Sequence, residues 1–190
     1  SAGASFSWFA DKVICMSNGY GDLDEEAAKT NPGSDGLVFL PYLNGERTPH
    51  NDPDAKGAFL RLGAYHSRGH LIRSIMEGVA FSVRDVMELM GSLLRPADTF
   101  VVTGGGSHSK VWSQILSDVI GENISRVVSN SGPSYGAALL AAVGVGWFAN
   151  IGDAVDKWVV LSDYVVSNKA HMQMYEDSYI YYKKAYARLQ

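Results

Sequence analysis

The chain has 190 residues, 46% hydrophobic and 19% charged, enough to bury one good core in a single domain. A formal net charge of −4 with no basic run argues against a dedicated nucleic-acid binder, and the single cysteine excludes an internal disulfide. The most apolar run, residues 136–149, falls short of the roughly 20 residues that span a bilayer and reads instead as a buried helix.

Residues 5–16 place Phe6, Phe9, Val13 and Met16 at helical spacing, which predicts an amphipathic helix with Cys15 as a small core residue. Residues 18–35 are rich in Gly, Asp and Asn and carry a short acidic helix around 25–29. Residues 37–40 predict a strand ended by Pro41. The polar stretch 44–56 (NGERTPHNDPDAK) has no periodicity, and long structured loops in compact domains are often functional. Its Glu46, His50, Asp52 and Asp54 invite a metal reading, but their spacing is not diagnostic, and Asn or Asp beside Pro more simply caps local turns. No metal ligand is assigned.

Residues 58–62 suit a strand. From 67 to 90, Leu71, Ile72, Ile75, Met76, Val79, Val83, Val86, Met87 and Met90 follow a 3.6-residue period and predict a long helix, with Arg73 and Glu77 as a solvated ion pair on its flank. Residues 99–114 (TFVVTGGGSHSKVWSQ) read as strand, triple-glycine turn and helix start. Glycines let a ligand approach main-chain N–H groups, and the helix end adds unpaired donors and a positive dipole. Such a turn also merely reverses chains. Ser107 or Ser109 suits the N-cap.

Residues 125–128 form a short strand, and Ser131 to Gly136 opens an Ala-rich helix at 137–145 whose small residues suit close packing in the core or a second ligand-facing helix start. A C-terminal helix over 169–189 aligns Met172, Tyr175, Tyr179, Tyr182 and Tyr186, packed on the body with hydroxyls at the wet edge. The alternation predicts an α/β layered domain with a mixed sheet. A dinucleotide-binding fold is disfavoured, because the run is GGG and not G-x-G-x-x-G.

The loop at 40–57 (LPYLNGERTPHNDPDAKG), the stretch from Gly57 through His70 to Gly78, the triple-glycine run through Gln114, and Gly132-Pro133 through Ala138 resemble, in order, the C-terminal domain of the FGGY carbohydrate kinases, above all their xylulokinase branch. The resemblance covers nearly all of residues 1–190. It implies an actin-like ATPase, ribonuclease-H-like α/β fold, with a mixed sheet flanked by helices and a C-terminal helix. It also implies a partner N-terminal domain, outside this chain, that holds the sugar, the catalytic aspartate and most Mg²⁺ ligands. The reaction implied is transfer of the γ-phosphoryl of ATP to a sugar hydroxyl, D-xylulose first, otherwise another ketose, polyol or sugar acid. A non-catalytic nucleotide-binding module of the same fold is the other reading.

Two sets of nucleotide contacts carry over: Gly104, Gly105, Gly106 and Ser109 in one, and Gly3, Ala4 and Ser5 with Ser7 in the other. Ser109 stands where glycerol kinases have Asn, and Ser7 where they have Gln, so side-chain contacts to ATP differ. Arg61 takes a place usually held by Gly, and Ser134-Tyr135 replace a more apolar pair. The resemblance further implies ATP or ADP and a sugar as partners, a cytoplasmic location and a possible homodimer; the charge and the lack of a long apolar run lead to the expectation of no nucleic-acid and no membrane partner. Ser1 in place of an initiator Met suggests a piece of something larger, and the isolated domain is expected to be inactive.

Overall fold

The long periodic segment becomes α3 (Arg68–Met90), around which the rest is arranged. The computed structural model describes residues 2–16, 21–93, 100–128, 132–162 and 164–189; the expected element ends at Thr99, Ser131 and residues 18–20 lie outside the described residues. Ser67 starts α3 as predicted, its backbone N–H donating to His70 Nδ1 (3.0 Å) in a reciprocal capping box. Ile72, Ile75, Met76, Val79, Ala80 and Phe81 are buried, whereas Val83 and Met90 are exposed.

Strand β1 (Val38–Leu40) is wholly buried and pairs antiparallel with β2 (Ala58–Leu60), Phe39 opposite Phe59 with ring centroids 4.7 Å apart. Gly78 lets α3 lie on that strand: a Cβ there would sit 2.2 Å from the Phe39 carbonyl oxygen. A second ladder joins β3 (Phe100–Val102) and β4 (Ile124–Arg126) in parallel, with α4 (Lys110–Ile120) as the crossover that parallel strands require. Among the described residues the mixed strand directions are therefore divided between two ladders.

The first helix runs from α1 (Ala2–Trp8) into a π turn at Phe9–Val13, starting earlier than predicted and leaving Val13 exposed. Cys15 is exposed and not in the core. The acidic helix is α2 (Gly21–Ala28). The Ala-rich helix α5 (Gly132–Gly144) departs from the prediction of a core helix: only Leu139 and Ala142 are buried, because no described element covers its outer face. Helix α6 (Ile151–Trp158), capped by Asn150, was not anticipated.

Helix α7 (Lys169–Ala187) does pack by its tyrosine stripe, but the hydroxyls of Tyr175, Tyr179 and Tyr182 are inside and not at a wet edge, while Tyr186 is half-buried. Tyr175 Oη accepts from Arg73 (2.8 Å), Tyr179 Oη donates to Asp85 (2.5 Å), and Tyr182 and Tyr42 share a hydrogen bond (3.0 Å). Met172 lies off the stripe, exposed. Arg73 and Glu77 are likewise buried rather than solvated, since α2 and α7 close over that side of α3. Arg61 has φ 64°, the left-handed backbone that favours glycine, and its guanidinium lies 5.2 Å from the Tyr181 ring centroid. No helix among the described residues is long and apolar enough to cross a membrane.

Candidate functional site

Strand β3 ends at Val102, and after Thr103 the chain turns at Gly104 (φ 90°, ψ 177°), a conformation essentially confined to glycine. Gly105 to His108 make one tight 3₁₀ turn, held by Ser107 N–H to Gly104 O (3.1 Å) and Ser109 N–H to Gly106 O (3.2 Å). Gly104 and Gly105 face open space, with nothing within 4 Å of an added Cβ, whereas a Cβ on Gly106 would meet the Trp112 ring at 3.1 Å. Two of the three glycines thus leave room for a ligand, and the third makes room for a tryptophan.

Ser109 is the N-cap of α4: its Oγ accepts from Trp112 N–H (2.9 Å). The Asp24 carboxylate lies within hydrogen-bonding reach of the same hydroxyl. Burial pushes the Asp24 carboxyl above the usual range, with the Ser109 hydrogen bond opposing it. Nothing in the local sequence marks Asp24; only the packing of α2 against α4 brings it to the glycine turn.

The first contact set lies beside the second. Helix α1 touches the glycine turn, and Phe6 packs on Trp112 with ring centroids 5.6 Å apart. Gly3 and Ala4 are exposed near the start of α1, Ser5 is buried and Ser7 half-buried. On the other side, Thr103, Gly104 and Ser107 face Gly132, Tyr135 and Gly136 of α5 across a cavity of about 200 Å³. That volume suits part of a nucleotide rather than the whole of one. The α5 start, read from sequence as an alternative ligand-facing turn, forms the opposite wall.

The chemistry of the donor set fits an anion. The open glycine backbone and the α4 start, an 11-residue helix, supply N–H groups and a positive dipole end. Among the described residues no three His, Cys, Asp or Glu side chains gather in a way that would hold a metal ion. Two carboxylates of the 44–56 loop, those of Glu46 and Asp52, serve its turns. Glu46 accepts from the N–H groups of Thr48 (2.6 Å) and His50 (2.7 Å), and Asp52 accepts from Asp54 N–H (2.8 Å) and from the Tyr186 hydroxyl.

Residues 2–145 match the C-terminal domain of the FGGY family of carbohydrate kinases. The chain belongs to that family. It is 32% identical over 186 residues to a xylulose kinase of Staphylococcus epidermidis, covering 98% of this chain and 37% of the relative. A gluconokinase of Bacillus subtilis is 34% identical over 160 residues, covering 84% of this chain and 30% of that protein. The crystal structure of xylulose kinase from Rhodospirillum rubrum superposes with a TM-score of 0.84 at 31% identity, over 98% of this chain and 38% of that one. The actin-like fold expected of the family is thereby shown, and the chain spans less than two fifths of the length of these relatives.

Proposed function

We propose that this chain is the nucleotide-binding half of an ATP-dependent sugar kinase whose acceptor is D-xylulose. The observation that carries the reading is the open Gly104-Gly105 turn at the start of α4, with α1 on one side and the glycine-lined start of α5 on the other. Backbone N–H groups there hold phosphate oxygens, and the helix end stabilises the charge that ADP retains as it leaves. The sugar oxygen forms a bond to the γ-phosphorus, the bond from that phosphorus to the β–γ bridging oxygen breaks, and the hydroxyl proton passes to a carboxylate. That carboxylate, the sugar contacts and the ligands of a phosphate-bound Mg²⁺ belong to the remainder of the enzyme, and no step is assigned to a metal held by this chain. Such an enzyme works in the cytoplasm on ATP carrying Mg²⁺.

The choice of D-xylulose rests on the names of similar proteins, and the gluconokinase likeness makes a sugar acid the second reading. The test is ADP release by the full-length protein across D-xylulose, L-ribulose, glycerol and gluconate. Selective turnover of D-xylulose is expected, with Gly105→Val weakening ATP at least about tenfold at unchanged stability, since its side chain enters open space. Equal ATP affinity in that variant would remove the site, and turnover of gluconate alone would change the acceptor.

A further inference from the structure

A larger cleft lies away from the glycine turn. It is about 790 Å³, within the range of small-molecule sites, and is formed where the 44–54 loop overhangs the Val79, Ser82 and Val86 face of α3. Arg47, Thr48 and Asn51 line the loop side. None of them is used by the nucleotide site.

The loop is rigid for a segment without regular secondary structure. Glu46 and Asp52 exchange backbone hydrogen bonds in both directions at 2.7 Å, and both Glu46 carboxylate oxygens are turned onto the loop's own N–H groups. Gly45 has φ 79° and lies so close to Pro53 that a Cβ would stand 2.6 Å from its carbonyl oxygen. His50 stacks on Tyr186 of α7 with ring centroids 4.0 Å apart. A scaffold fixed in this way holds Arg47 at the cleft with no ion-pair partner among the described residues. Among the described residues of the lining Glu46 is the one acid, and both its oxygens accept from the loop's own N–H groups.

We propose that this cleft binds a phosphorylated sugar, with Arg47 on the phosphate and Thr48, Asn51 and Ser82 on the hydroxyls. A single guanidinium suits one phosphate group better than a polyphosphate chain, because its fork of N–H donors matches one phosphate bidentately. The aromatic nearest the cleft, Tyr42, is buried edge-on among His50, Tyr182 and Tyr186, and offers no open face for a base. Hydroxyl and amide groups beside Val79 and Val86 suit the mixed polar and apolar surface of a sugar. The choice of a sugar phosphate over other phosphorylated polyols rests on the kinase reading above; the anion site itself does not.

The test is a ¹H–¹⁵N NMR titration of this chain, without ATP, using D-xylulose 5-phosphate, D-xylulose, inorganic phosphate and AMP. The expected result is saturable shifts at Thr48, His50, Asn51 and Ser82 with the sugar phosphate, weaker ones with phosphate, and none with D-xylulose. Arg47→Gln is expected to weaken binding about tenfold, and Arg47→Lys less, with the rest of the spectrum unchanged because Arg47 is exposed. Shifts of equal size with D-xylulose, tighter binding of AMP at these residues, or unchanged affinity in Arg47→Gln would each overturn the proposal. Binding here and turnover in the full-length enzyme are separate readouts, so a kinase that fails on D-xylulose leaves this result standing, and the reverse.

Discussion

Glu77→Ala tests what holds α3 against its neighbours. The Glu77 carboxylate is 2% exposed and accepts from Arg73 Nε (2.8 Å), Gly33 N–H (2.8 Å) and Ser34 Oγ (2.7 Å). Arg73 in turn donates to Ala27 O (3.0 Å) and Tyr175 Oη (2.8 Å), so one ion pair joins α2, the 33–36 turn, α3 and α7. Burial pushes the Glu77 carboxyl up, and the Arg73 guanidinium opposes that. Removing the carboxylate strands a buried guanidinium, a loss of about 3–5 kcal/mol, with the Gly33 and Ser34 donors left for entering water to satisfy.

Taking about 4 kcal/mol against a total stability of about 5–15 kcal/mol, the variant should retain little margin. With a urea slope near 2 kcal/mol/M, the unfolding midpoint should fall by about 2 M. Circular dichroism and tryptophan fluorescence in urea measure it. The apolar double variant Arg73→Met with Glu77→Leu should recover part of the loss, because it removes the stranded charge while still leaving Gly33 N–H, Ser34 Oγ, Ala27 O and Tyr175 Oη without their partners. A loss below about 1 kcal/mol in Glu77→Ala, or a double variant as unstable as the single one, would refute this account.

Gly78→Ala should destabilise by about 3 kcal/mol in the same assay, since its Cβ would lie 2.2 Å from the Phe39 carbonyl oxygen and α3 must shift off β1. Ser109→Ala should cost about 1 kcal/mol through loss of the α4 cap, with an effect confined to that end of α4 in hydrogen exchange. Asp24→Asn keeps an acceptor for the Ser109 hydroxyl and removes a charge. Because folding raises the Asp24 carboxyl pKa, its penalty is absent below the unfolded value near 4 and fully present above the folded value. The variant should therefore melt higher at pH 7 and the same at pH 3; an equal change at both would discard the charge explanation.

The sequence by itself determined the elements whose signal is local. The 3.6-residue period defined α3, the strand and glycine turn defined the start of α4 with Ser107 or Ser109 as its cap, and the segments shared with the sugar kinases defined the family. A period or a cap is a relation between near neighbours, so it survives without the fold. Exposure is a relation between distant segments, and there the reading departed from the structure. Tertiary packing decided that Arg73 and Glu77 are buried, that tyrosine hydroxyls on α7 face inward, that Cys15 and most of α5 are exposed, and that Asp24 reaches Ser109. An amphipathic pattern says which face of a helix is apolar. What lies across from its charged flank depends on segments 40 to 100 residues away, and the 44-residue separation of Gly33 from Glu77 and the 102-residue separation of Arg73 from Tyr175 are of that kind.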